Sequence, residues 1–202
     1  MKALVYTRPA KPLSLPVKRR RDFEPIAKAA PLEVIAVDKA TECHVTPDDV
    51  AARMVDYLGR TGDYLTLEPS AGTGQLARAL LASGHSKHEL TLVERHIGLA
   101  SRLHSIAPTI NRCFLEWAAE VRGRVSYPRV IMNPPFSDVR KHVAAALSLL
   151  GQGGHDEPAT LVALVPVTFE HAEAIDLERL PNSTFATAKV WTKLIRIQRG
   201  AR

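Results

Sequence analysis

Three short stretches carry residue types suited to chemistry. In Val130-Ile131-Met132-Asn133-Pro134-Pro135-Phe136 an apolar run ends on a side-chain amide, two stiff residues and an aromatic ring. Proline lacks the N–H that a strand ladder needs, and asparagine favours turns. A plain strand stop is therefore one reading, and a ligand-holding loop is the other. In Leu67-Glu68-Pro69-Ser70-Ala71-Gly72-Thr73-Gly74-Gln75-Leu76-Ala77, two glycines bracket a turn. Glycine permits a tight turn and lets a ligand approach the backbone. Glu94 lies twenty residues after Gly74, at the end of Leu90-Thr91-Leu92-Val93. A carboxylate there can accept hydrogen bonds from a ribose diol. The turn and Glu94 together point to a nucleoside cofactor. Gly72-x-Gly74-x-x-Ala77 also satisfies the dinucleotide fingerprint, so a nicotinamide-dependent oxidoreductase is a rival. An ordinary strand-to-helix turn is the bland alternative.

The flanking pattern supplies elements to position these residues. Thr46-Pro47-Asp48-Asp49 predicts a helix start, with Thr46 as N-cap and Pro47 as first helical residue. Val50, Met54, Val55 and Leu58 recur at helical spacing before Gly59. Strands are predicted over 64–67, 90–93, 130–132 and 160–165, and helices over 75–83, 97–106 and 137–150. A closing hairpin is expected from 185–191 and 194–199. Alternating strands and helices imply a doubly wound α/β fold with a mostly parallel sheet. Residues 1–45, with Pro9, Pro12, Pro16, Pro25 and Pro31 and the run Lys18-Arg19-Arg20-Arg21, read as a basic N-terminal arm preceding a domain over 46–202. Residues 31–37 are the one candidate strand in that arm.

Composition narrows the class. The chain has 202 residues, 46% hydrophobic and 24% charged, enough for one globular core. The formal net charge of +6 favours a polyanionic partner such as nucleic acid. Cys43 and Cys113 form no CxxC pair, which argues against a zinc cluster or disulfide framework, and no metal ligand set is evident. No run approaches the roughly 20 apolar residues that span a bilayer, and no apolar signal segment follows the basic N-terminus. The expectation is a cytoplasmic protein of a bacterial or phage-infected cell, without a membrane partner.

Glu68-Pro69-Ser70-Ala71-Gly72-Thr73-Gly74 followed downstream by Asn133-Pro134-Pro135-Phe136 resembles the S-adenosylmethionine-dependent N6-adenine DNA methyltransferases over roughly residues 46–170. The resemblance implies a Rossmann-like class I methyltransferase fold and S-adenosylmethionine as cofactor. Thr46 and Pro47 match the segment flanking the methionine end, and Glu68, Pro69, Ser70, Ala71, Gly72 and Gly74 the loop around it. Glu94 matches the ribose-binding acid, and Phe114 the aromatic that stacks on the cofactor adenine. Asn133, Pro134, Pro135 and Phe136 match the catalytic loop. The side-chain oxygen of Asn133 and the carbonyl of Pro134 would each accept one N–H of the adenine amine. That turns the nitrogen lone pair toward the methyl group for direct displacement, while Phe136 stacks on an extruded base.

Two features depart from the family. Cys113 stands where an acidic residue often precedes the aromatic, so Glu116 compensates or the cofactor adenine lacks that acceptor. There is also no evident target-recognition domain, which implies low sequence specificity, use of the basic arm, a specificity partner or a homodimer. Similar loops serve methyltransferases of RNA and of protein glutamine. Phe136 and the basic balance favour nucleic acid, DNA before RNA. A catalytically idle cofactor-binding module is the remaining alternative. His142 and His171 are expected on the surface or a helix face, Trp117 and Trp191 in the core. Lys189, Lys193, Arg196 and Arg199 are expected on a solvated hairpin face.

Overall fold

Strands buried on both faces need apolar residues in succession rather than in alternation. In a computed structural model, which describes residues 44–185 and 189–200, such runs form β1 (Thr66–Pro69), β2 (Leu90–Val93), β4 (Arg129–Met132) and β5 (Ala159–Pro166). A two-residue β3 (Thr109–Ile110) follows β2, and the chain closes with β6 (Ile175–Leu180) and β7 (Thr192–Arg199). The helices are α1 (Asp48–Leu58), α2 (Gln75–Ala82), α3 (Ile97–Leu103), α4 (Phe114–Val121) and α5 (Val139–Ser148).

The sheet order is β3-β2-β1-β4-β5-β7-β6. Strands β1 to β5 pair in parallel, and β7 runs antiparallel to both β5 and β6. The chain moves outward through β2 and β3, then restarts at β4 on the other side of β1. The crevice beyond the carboxyl ends of β1 and β4 is thus the topological switch point, where open α/β sheets bind ligands. Pleating divides the core between the faces: Ile131 packs with Val50, Met54, Leu76, Leu80 and Leu103 on the α1–α2–α3 side. Val130 and Met132 pack with Phe114, Trp117, Val143 and Ala146 on the α4–α5 side. At the opposite edge of the sheet, the Arg129 guanidinium lies 4.3 Å above the Tyr64 ring. It donates to the carbonyl of Leu58 at 2.8 Å and to Glu157 Oε2 at 2.7 Å. That buried charge is thereby spent on structure, away from the crevice.

Several expectations change. The first hairpin arm is Ile175–Leu180, while Phe185 and residues 189–191 lie outside any strand. Edge strand β6 carries Asp176, Glu178 and Arg179, charges that discourage further pairing and also hide the strand's apolar signal. The helix predicted over 137–150 is a 3-10 turn at Phe136–Asp138 leading into α5. Helix α4 was not foreseen, although Phe114, Trp117, Ala118 and Val121 sit at helical spacing. Trp117 is in the core as expected, but Trp191 is 57% exposed. Lys193 is buried against Asp176, 3.0 Å from Oδ2, and Arg199 is paired with Glu173. Of the arm expected over 1–45, residues 1–43, with the candidate strand, lie outside the described residues, whereas His44 and Val45 are described and line the cavity of the sheet's switch point. No described helix is long and apolar enough to cross a membrane.

Candidate active site

Strand β1 carries Glu68 to the carboxyl edge, and the chain turns there through three left-handed positions: Ser70 (φ 59°), Gly72 (φ 56°) and Gly74 (φ 82°). The turn is tied to β2. The Ala71 N–H donates to the Val93 carbonyl at 2.9 Å, and the Gly72 N–H donates to Glu94 Oε2 at 2.8 Å. Glu94 Oε1 accepts from the His96 N–H at 2.7 Å. Asn111 donates from Nδ2 to the carbonyls of Glu94 and Arg95. Each carboxylate oxygen retains a further lone pair, so Glu94 is locked in place yet still able to accept from a ligand hydroxyl.

Gly74 is where the turn most needs glycine. A Cβ there would lie 2.7 Å from Leu103 Cδ2, and Leu103 is buried. At Gly123, also left-handed (φ 74°), a Cβ would meet nothing within 4 Å. Gly123→Ala is therefore expected to lose about 1 kcal/mol from backbone strain alone. Gly74→Ala is expected to lose about 2–4 kcal/mol, because overpacking adds to that strain. Urea unfolding of the two variants checks the difference.

Asn133 leaves β4 at the next strand end. Its Nδ2 donates to the His44 carbonyl at 2.8 Å and to Thr46 Oγ1 at 3.0 Å. Both amide protons are thus used by the segment preceding α1, and Oδ1 is the side-chain atom left to meet a ligand donor. This also corrects the expected helix start. Thr46 does not cap α1, and Pro47 occupies the N-cap position without a side-chain cap bond. The Thr46 hydroxyl, in a residue only 4% exposed, serves Asn133 instead. Pro134 is buried behind the loop and Pro135 turns it into the 3-10 segment.

These loops surround a cavity of about 270 Å³. Thr46, Glu68, Ser70, Ala71, Gly72, Glu94, Phe114, Asn133 and Pro135 all line it. Pro47, Pro69, Gly74, Pro134 and Phe136 are not among the lining residues; Phe136 is half-buried against His44, which does line the cavity, and Phe185. Glu68 is 2% exposed, and its Oε2 meets no hydrogen-bond partner among the described residues. Burial pushes its carboxyl up to about 8, against the opposing pull of the Ala77 backbone and Arg78. A buried carboxyl in the wall, with one oxygen unpartnered among the described residues, suits a cationic ligand group.

Among the lining residues that sequence reasoning did not assign to the site are His44 and His142. His142 is buried rather than superficial, with its ring 5.7 Å from Phe114 and Nδ1 3.4 Å from Ser70 Oγ. Burial holds its imidazole below the ordinary value. Its spacing from Val139 and Ala146 on α5 was the available signal. Cys113 lines the cavity, whereas Glu116 is exposed on α4 and lies outside the lining, so Glu116 does not replace the missing acid. Among the described residues there is no cluster able to hold a metal ion.

The same architecture occurs in solved structures. The 23S rRNA methyltransferase ErmE superposes with a TM-score of 0.59 at 17% identity, covering 79% of this chain and 71% of that one. This is the class I methyltransferase fold. A protein described as the modification subunit of a type I restriction enzyme, from Vibrio vulnificus, gives 0.59 at 17% identity, covering 78% of this chain and 44% of its own. A protein described as a methyltransferase, complexed with SAH, gives 0.51 at 14% identity, with 74% and 48% covered. No protein-family model matches the chain, and no curated protein matches it. At these identities the likeness establishes the fold, a mostly parallel doubly wound sheet with a C-terminal antiparallel hairpin, and the chemistry rests on the site.

Proposed function

We propose that the chain transfers a methyl group from S-adenosylmethionine to the exocyclic N6 amine of adenine in DNA. The observation that carries this reading is the Asn133 amide: with both Nδ2 protons held by His44 and Thr46, its oxygen is fixed at the cavity wall as an acceptor. Adenine's amine is a weak nucleophile because its lone pair is delocalised into the ring. Asn133 Oδ1 and the carbonyl of Pro134 each accept one of its N–H bonds, favouring a pyramidal nitrogen whose lone pair is localised. The stiff Pro134-Pro135 backbone keeps that geometry through the reaction, so catalysis is positioning and electrostatics. Phe136 supports the base.

The residues present suit the cofactor. The turn at Ser70 to Gly74 leaves room for close backbone approach, Glu94 offers acceptors to a diol, Phe114 offers a ring, and Glu68 Oε2, unpartnered among the described residues, suits a positive charge. When bound, S-adenosylmethionine supplies an electrophilic methyl on a sulfonium. The net charge of +6 supports a nucleic-acid acceptor. RNA is the second reading, favoured by the likeness to a 23S rRNA methyltransferase.

The test is transfer of labelled methyl to unmethylated DNA, total RNA and a protein extract, with nucleic-acid products digested to nucleosides. Label in N6-methyladenine from DNA is the expected result. Label confined to RNA or protein overturns the choice of acceptor, and no label despite cofactor binding overturns the enzyme assignment.

A further inference from the structure

The segment before α1 does more than orient Asn133. The His44 ring stacks on Phe136, with centroids 5.2 Å apart and planes at 29°. It also lies 5.5 Å from Phe185, tilted by 46°. Phe136 and Phe185 meet edge to face at 5.9 Å and 69°. A planar nitrogen heterocycle therefore fills an aromatic slot directly beside the Asn133 amide. Its hold there is incomplete: among the described residues, His44 Nδ1 is buried without a hydrogen-bond partner. Buried polar atoms are rarely left unpaired in a settled packing.

We propose that the His44 imidazole holds the place of the acceptor base in the free protein and is displaced when the base enters. The anchoring atom of His44 is its backbone carbonyl, which accepts from Asn133 Nδ2 at 2.8 Å. Rotation about the His44 side-chain bonds moves the ring and leaves that carbonyl in place. The slot can thus open while Asn133 stays oriented. A purine has the larger face to stack against Phe136, and its amine finds the Asn133 oxygen. The imidazole leaves an unpaired nitrogen and so yields to it. In the free protein the imidazole occupies the aromatic slot, and a planar ring able to bond Asn133 takes its place. This inference rests on reading the Asn133 loop as a nucleobase cradle.

The test compares wild type, His44→Ala and His44→Phe in steady-state transfer to unmethylated mixed-sequence DNA at saturating S-adenosylmethionine. Both variants keep the backbone carbonyl. His44→Ala empties the slot, and the KM for DNA is expected to fall about 3–10-fold, because the binding-competent fraction rises. His44→Phe puts in the slot a ring with no unpaired nitrogen, and the KM is expected to rise by a similar factor. A rise with His44→Ala, shifts of the same sign in both variants, or shifts under twofold in both overturn the placeholder. Should His44→Ala fail to fold, as thermal unfolding would reveal, the direction of the His44→Phe shift decides alone. Failure of the underlying reading is seen separately, as wild type that binds cofactor and transfers no methyl to DNA; that outcome removes the placeholder too.

Discussion

Asn133→Ala is expected to lower kcat for methyl transfer by about 10²–10³-fold, the effect of removing one preorganised polar group aimed at a reacting centre. Cofactor affinity should change much less, since Glu68, Glu94 and the glycine turn belong to other strands. Asn133→Asp separates orientation from acceptance. It keeps an acceptor oxygen but sets a carboxylate against the His44 carbonyl, which has no proton to offer, and leaves only the Thr46 hydroxyl able to turn and donate to it. The carboxylate must rotate away, and transfer should fall nearly as far as in Asn133→Ala. Thr46→Val removes one of the two acceptors and should lose about fivefold, in line with about 1 kcal/mol for one hydrogen bond. Single-turnover rates at saturating cofactor check all three. An Asn133→Ala enzyme that keeps more than a tenth of the wild-type rate would sink the cradle mechanism.

Sequence legibility followed from how local each signal is. Strands β1, β2, β4 and β5 are continuous apolar runs because both of their faces are covered, and the Gly72 and Gly74 turn is punctuation that only a few backbone conformations use. The site residues follow these strand ends, which is why most of them could be placed. What stayed hidden depends on tertiary contacts. Thr46 reads as an N-cap because nothing local reveals that Asn133, 87 positions away, takes its hydroxyl. His142 reads as a helix-face residue until α5 packs beside Ser70 and Phe114. Lys193 reads as solvated until Asp176 of β6 pairs with it. Phe185 reads as a strand residue, yet its partners are His44 and Phe136, which come from two other loops. In each case a long-range partner overrides a sound local preference.

Glu68→Gln is expected to stabilise the free protein, and increasingly so as pH rises. Burial lifts the Glu68 carboxyl from 4.5 to about 8, so in the folded chain it stays protonated across a range in which the unfolded chain has already released that proton. The folded state then binds the extra proton, and the linkage sign is fixed. The contribution is fully present below about pH 4.5 and is lost as pH climbs toward about 8. Glutamine is neutral throughout and has nearly the same shape. The two proteins should therefore unfold nearly alike near pH 4.5, and by pH 8 the variant should be more stable by roughly 4 kcal/mol. Thermal or urea unfolding across that range checks it, and a constant difference at every pH would show that Glu68 does not titrate as described. The same carboxyl gives a readout of cofactor binding. A cationic ligand in the cavity favours the ionised form, so binding near pH 7 should release a proton from wild type. Calorimetry in buffers of different ionisation enthalpy detects that release. Its absence in Glu68→Gln would assign it to this residue, and if the sulfonium is the charge that pairs, the variant's affinity should weaken more for S-adenosylmethionine than for S-adenosylhomocysteine, which lacks the sulfonium charge. Natural selection of a carboxyl that destabilises the free fold is understandable on these terms, because the ionised form is useful only when a positive charge shares the cavity.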